Sequence, residues 1–201
     1  MPATSLNDLY LQKLQLLLDA EEQGLQAMPQ LARRVQSPEL RNALETHRRQ
    51  TQEHVQRLQQ LARRRAQGPE NTPSNGCVSM RALIEEAQTI LPTIQDADTA
   101  DAFIIGAQQA VEHHEIASYG TARTWARQLG YDDDADLLQR TLDEEGEADK
   151  LLTQVAERSV NREASQGAER EVGIAGGGQR ERSTGGGSRS GVSAERGADM
   201  R

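Results

Sequence analysis

The chain has 201 residues, 23 Lys+Arg against 31 Asp+Glu for a formal net charge of -8, one Trp, three Tyr, one Phe and a single cysteine. That length suits one domain or slightly more. The acidity argues against a protein whose main work is neutralising phosphates, and so few rings argue against a base-stacking platform. With Cys77 alone, an intramolecular disulfide, a thiolate metal cage and a CxxC redox site are excluded; no apolar run approaches the roughly 18 residues of a membrane span.

The start MPATSLNDLY lacks the basic-then-apolar pattern of an export signal, so a cytoplasmic protein is expected. Apolar residues at three- and four-residue steps then predict a first helix over 4–35, with the stripe Leu14, Leu17, Glu21, Leu25, Met28. Ser37-Pro38 follows, a capping residue before a proline suited to the first helical position. A second helix is expected over 38–66, on which Leu40 and Leu44 lead to His47, Gln50/Thr51 and His54, then Leu58 and Leu61. Arg48, Arg49 and Arg63 to Arg65 read as a solvated face. Residues 67–97 open with the breaker-rich QGPENTPSNG and continue as a short helix, SMRALIEEAQTIL; Cys77 in this crossover reads as an inert thiol.

The third long helix, over 98–129, carries Ile104/Ile105, Gln108, Val111/Glu112, Glu115, Ala122, Trp125 and Leu129. Gly130 suits a left-handed C-cap before a fourth helix over 132–158, with Leu138, Leu142, Glu145, Asp149 and Leu152 on one stripe and Glu144 competing with Glu145 for the inward direction. From Arg158 onward come 8 Arg, 6 acidic residues and 10 of the 17 Gly, including GGGQRERSTGGGSRSG. Such a segment has little apolar surface to set against ordering entropy and is expected to be a disordered, solubilising tail whose arginines touch nucleic acid weakly at most.

Short turns force each pair of long helices into an antiparallel hairpin, and a crossover of this length joins two hairpins. The expected fold is therefore all-α: a ferritin-like antiparallel four-helix bundle over residues 1–158, with a short fifth helix in the crossover and a tail over 159–201. Every long helix turns polar on its inward stripe near mid-length. At ~1.5 Å rise per residue, Glu21, Gln50, His54, Glu112, Glu115, Glu145 and Asp149 all fall about 20–28 Å from their turns, in one layer. Carboxylates gathered in an apolar layer need protons, cationic partners or metal. Oxygen and imidazole ligands from four helices suit a pair of first-row ions, iron or manganese.

The segments LNDLYLQKLQLLLDAEEQGLQAMPQLA, SPELRNALETHRRQTQEHVQRLQQL, CVSMRALIEEA, AVEHHEIASYGTARTWARQLG and LLQRTLDEEGEADKLLTQVAE resemble the YciF-like stress-protein branch of the ferritin-like superfamily, EHHEIASYGTA being the most specific piece. The resemblance spans about residues 5–157. It implies an antiparallel bundle, often dimeric, with a dinuclear iron or manganese site and a role in oxidative stress. Carried over by position, the metal ligands are Glu21 in DAEEQ, His54 in THRRQTQEH, Glu112 and Glu115 in EHHE, and Glu145 with Asp149 in DEEGEAD. The sequence departs from the branch where the second helix is expected to read H-x-E-E-T and instead reads His47-Arg48-Arg49-Gln50-Thr51, with Gln50 expected in the layer and an inward Arg49 as an alternative source of positive charge. A dinuclear, a mononuclear and a metal-free layer all fit that departure. Two functional classes follow: a metal-dependent oxidoreductase of ferroxidase or peroxide-consuming type, or a non-enzymatic helical stress protein acting as a homodimer or through its tail. No nucleophilic triad or phosphate-cradling glycine loop stands out.

Overall fold

Ser5 starts the first helix by accepting the Asp8 amide at 3.1 Å while the Asp8 carboxylate accepts the Ser5 amide at 3.0 Å, a reciprocal cap that satisfies two otherwise orphaned donors. In the computed structural model, which describes residues 3–65 and 75–166, this helix is α1 (Leu6–Ala32). It stops three residues short of its expected end. Ser37 caps α2 (Pro38–Arg64) through the Leu40 amide, with the proline in the first turn. The intervening turn is clamped from across the bundle: buried Asp101 accepts the amides of Gln36 and Ser37 at 3.0 and 2.7 Å.

The crossover helix α3 (Val78–Ile90) ends in a 3-10 turn, Leu91–Thr93. Asp96 then caps α4 (Ala97–Gln128) by accepting the Thr99 amide at 2.7 Å. Gly130, at φ 73°, makes the left-handed turn into α5 (Asp132–Val155), and the Tyr131 amide bonds back to the Ala126 carbonyl. Three aspartates occupy the first turn of α5, where the helix dipole favours negative charge. The helical path continues through a π-helical turn, Ala156–Val160, and on over 161–166. The folded part thus extends past the boundary expected at 158, because Val160 still has an apolar cluster to bury against. The rest of the expected tail, 167–201, lies outside the described residues.

α1 pairs with α2 and α4 with α5; α1 also packs on α4 and α2 on α5, so the four long helices close into a bundle, with α3 laid against α1 and α4. All the described elements are helical, and no helix among the described residues is long and apolar enough to cross a membrane. The core is divided in two. One apolar cluster gathers Leu40, Leu44, Ile104, Ile105, Leu152 and Val160 beside the α1–α2 turn. The other gathers Tyr10, Leu14, Leu17, Leu58, Leu61, Tyr119 and Leu138 toward the α4–α5 turn. At that second end Arg65 leaves the solvated face expected for it: its guanidinium lies 3.3 Å from the Tyr131 ring centroid and donates at 2.7 Å to buried Asp134, which also accepts the Tyr10 hydroxyl.

Candidate metal centre

Between the two apolar clusters the stripes turn polar together. Glu21 from α1, His47, Thr51 and His54 from α2, Gln108, Glu112 and Glu115 from α4, and Glu145 from α5 are all buried. Helical periodicity puts them there: His47 and His54 are two turns apart on one face, and Glu112 and Glu115 are one turn apart. Two ligand groups result. His47, Glu112, Glu115 and Glu145 offer one donor atom each within 4.8 Å of one another, and so do Glu21, His54 and Glu145. Glu145 belongs to both.

The geometry around His54 fixes which ring nitrogen faces the layer. Nε2 lies 3.0 Å from Glu144 Oε2, and Nδ1 faces Glu145 at 2.8 Å and Glu21 at 3.3 Å. Burial pushes the Glu144 carboxyl up, but hydrogen bonds and charge from Arg57, with bonds from His54 and Arg140, outweigh it and hold its pKa at about 2. An ionised Glu144 demands a proton on Nε2. With that proton on Nε2, the ring presents Nδ1 to two further carboxylates, and neither His54 Nδ1 nor Glu145 Oε1 is in hydrogen-bond geometry despite their short separation. Convergent acceptors of this kind fit a shared cation, and a carboxylate fixing the far nitrogen of a ligand histidine is the usual support for one.

The other group converges likewise, without a carboxylate behind its histidine. His47 Nε2 is 3.1 Å from Glu112 Oε1 and 3.9 Å from Glu145 Oε2; Gln108 donates to Glu112 Oε1 at 2.8 Å. Glu21 Oε2, His47 Nδ1, Glu112 Oε2 and both oxygens of Glu145 are fully buried with no hydrogen-bond partner among the described residues. Tyr119 donates its hydroxyl to Glu21 Oε1. Burial, then the charges of Glu21, Glu145 and Glu112, hold Glu115 well above the usual carboxyl range; burial and the charges of Glu21 and Glu112 do the same to Glu145. Burial, followed by the charges of Glu21 and Glu145, raises the Tyr119 hydroxyl as well.

Of the six residues singled out from the sequence, the structure brings together Glu21, His54, Glu112, Glu115 and Glu145. Asp149 is not among them. It is half-buried, accepts from Gln109 at 2.9 Å and lies 3.4 Å from exposed His113, because one turn beyond Glu145 the α5 stripe has rotated toward the α4 surface. Between Glu144 and Glu145 the inward residue is Glu145. His47 is the donor the sequence reading left out of its ligand set; its spacing of two turns from His54 carried the signal. The two residues of the H-R-R-Q-T segment expected to alter the layer do not enter it. Arg49 is exposed and bonds Thr46, while Gln50 is half-buried beside a small cavity with His47 and Gln108; Thr51 is the buried neighbour. The arginines expected as an alternative source of compensation therefore stay outside, and Arg57 reaches Glu144 but none of the inner ligands.

Residues 5–165 match the family model described as domain of unknown function DUF892. The chain is 36% identical over 164 residues to protein YciF of Escherichia coli, covering 82% of this chain and 98% of that one. The crystal structure of the E. coli stress protein YciF superposes with a TM-score of 0.72 over 79% of this chain and 99% of that chain. The Rhodopseudomonas palustris protein YcfI, 35% identical, superposes at 0.71 over 75% of this chain and 94% of that one. At 21% identity, the Xanthomonas campestris protein XCC3681 shares the fold, with a TM-score of 0.63 over 84% of this chain and 99% of that one.

Proposed function

The chain belongs to the DUF892 family, and from that membership together with the chemistry of its buried layer we propose that it is a stress-response protein that binds a pair of iron or manganese ions and passes their electrons to oxygen or a peroxide. The observation that carries this reading is the donor set: buried carboxylate and imidazole groups from four helices converge, several of their atoms without a hydrogen-bond partner among the described residues. Four glutamates and two neutral histidines balance the charge of two divalent cations and suit hard to intermediate first-row ions. Two carboxylates about 4 Å apart repel by about 4 kcal/mol at an effective dielectric near 20, so four in one layer call for cations or protons.

When bound, the ions supply one-electron redox chemistry; the side chains do the rest. Glu21, His54 and Glu145 would hold one ion, His47, Glu112 and Glu115 the other, with Glu145 reaching both. Glu144 keeps the proton on His54 Nε2 and so keeps Nδ1 free to bind. The Tyr119 hydroxyl fixes Glu21, and Gln108 fixes Glu112. Glu115 and Glu145 hold protons while the layer is empty of cations and release them as ions enter, which makes binding pH-dependent. The apolar clusters above and below exclude bulk water from the layer.

The test is anaerobic addition of Fe(II) to metal-stripped protein, followed by a pulse of peroxide or oxygen. Saturation at two Fe(II) per chain and oxidation faster than for free Fe(II) is the expected result. No binding above that of a scrambled-ligand control, or oxidation no faster than in buffer, would rule the reading out.

A further inference from the structure

The packing under α3 changes along its length. Met80, Ile84 and Ala87, spaced by four and then three residues, form the stripe that α3 lays on α1 and α4, and Met80 is buried with Ala20 and Cys77. Further along, small residues face one another: Gly24 and Ala27 from α1, Ala87 from α3 and Ala107 from α4. They leave a cavity of about 30 Å³ between the three helices, with Ile84 and Val111 among its larger walls. Gly24 shows the same space from the side of α1: the residue is buried, yet a methyl group built on its Cα would meet nothing within 4 Å. Close-packed interiors hold few voids larger than a water molecule.

This cavity adjoins the buried layer. Gly24 follows Glu21 by three residues, and buried Gln108, which lines the cavity, donates its amide to Glu112 Oε1 at 2.8 Å. Residues three and four apart share one helix face, so the inner wall lies about one turn, ~5 Å along the axis, from Glu21 on α1 and Glu112 on α4. Size and wall chemistry then select an occupant. A single water needs about 10–15 Å³, so the cavity admits a diatomic molecule or hydrogen peroxide and shuts out branched hydroperoxides. Apart from Gln108, whose amide nitrogen is committed to Glu112, the polar side chains of the wall are Gln30 and Gln88 on its exposed rim. Hydrogen peroxide would leave its water partners to enter, at about 1–3 kcal/mol for each hydrogen bond left unmade. Dioxygen has none to lose, and apolar cavities take up apolar guests.

We propose that this cavity is a binding site for dioxygen and the passage by which dioxygen reaches the buried layer; the passage rests on the reading of that layer as a redox-active metal centre. Of the two oxidants that the layer's own chemistry leaves open, the wall selects dioxygen. The crossover helix α3, which contributes no ligand, thereby gains a role: Ile84 and Ala87 roof the passage. Gln108 stands at its inner end as a positioning residue, one side chain shared by the cavity and Glu112.

The experiment uses the full chain in two arms, the first without metal. Dioxygen dissolved under pressure is the probe, and its paramagnetism is read as proton relaxation at methyl groups of metal-stripped protein. Ala87 and Ala156 are 6% and 7% exposed, and of the two Ala87 alone lines the cavity. The Ala87 methyl should relax several-fold faster than that of Ala156, and Gly24→Leu, which fills the space, should abolish the difference. In the second arm, wild type and Gly24→Leu take up Fe(II) anaerobically and then receive dioxygen or hydrogen peroxide. Equal Fe(II) stoichiometry, oxidation by dioxygen slowed several-fold in the variant, and oxidation by peroxide little changed are the expected results; Ala87→Leu fills the cavity from α3 and serves in this arm if Gly24→Leu does not fold. Equal relaxation at Ala87 and Ala156 would show a cavity closed to dioxygen. Equal dioxygen rates in wild type and variant, or both oxidants slowed alike, would remove the passage or its selectivity; each of these overturns the proposal. Dioxygen at Ala87 in a wild-type protein that takes up no Fe(II) would instead overturn the reading of the layer on which the passage depends.

Discussion

The two halves of the buried layer use the same residue types but are supported differently. Around His54, both ring nitrogens have carboxylate neighbours, Glu144 is anchored by Arg57 and Arg140, and Tyr119 holds Glu21. Around His47, Nδ1 has no partner among the described residues, and Gln108 is the supporting donor to Glu112. A ligand whose far side is fixed is pre-oriented; one whose far side is free must be ordered by the ion it binds. The comparison predicts a tighter ion on the His54 side and a weaker one on the His47 side, sharing Glu145.

The largest effect is expected at the shared residue. Glu145→Leu should abolish binding of both ions, read by calorimetric titration with Mn(II), and should stabilise the metal-stripped protein by about 1–3 kcal/mol, since a buried carboxyl without a hydrogen-bond partner among the described residues is replaced by packing. Loss of a single ion would break the claim that the two halves meet at Glu145. Next, His54→Ala should remove the tight binding event and His47→Ala the weak one. If the two variants lose the same event, the layer is not divided as described.

Smaller is the effect of Glu144→Gln. It keeps a hydrogen-bonding group beside His54 but removes the ionised acceptor that orders the ring, so affinity of the tight site should fall roughly 10–100-fold while the His47 side is unchanged. The pH dependence of stability separates the inner carboxyls from this outer one. Glu115 and Glu145 are raised in the folded protein, so their contribution is present below the usual 4.5 and is lost as pH rises through their folded values. Glu144 is lowered to about 2, so its contribution is present above 4.5 and is lost as pH falls toward 2. Melting of metal-stripped protein should therefore show an optimum in the acid range and fall toward neutrality, and Mn(II) should restore stability at pH 7. A metal-stripped protein most stable at neutral pH would contradict the raised inner carboxyls. The smallest effect belongs to a residue outside the layer: Asp149→Asn should leave stoichiometry unchanged and affinities within about twofold, the scale of substitutions away from the site.

Much of this was legible in the sequence because helices report their own faces. The stripe Leu14, Leu17, Glu21 gave the direction of Glu21 directly, and Ser37-Pro38 and Gly130 marked both short turns. Counting rise along each helix placed the carboxylates at one level. What it could not supply was rotation to within one residue: Asp149 shares a level with the ligands but faces Gln109, while Gln50 and Thr51 exchange places because α2 packs through Leu44, His47, Thr51 and His54. Contacts between distant segments were also hidden. Nothing near Asp101 announces that it clamps the α1–α2 turn, nothing in an arginine run separates Arg65 from its neighbours, and Cys77 meets His114 only once α3 is laid on α4.

The most direct test of the central claim is anomalous diffraction at the manganese edge from crystals grown with Mn(II). Two peaks between α1, α2, α4 and α5 are predicted, one contacted by Glu21 and His54 and the other by His47, Glu112 and Glu115, with Glu145 reaching both and the stronger peak on the His54 side. A layer without anomalous density in crystals soaked to saturation, or ions bound only to surface carboxylates such as Asp149, would contradict it.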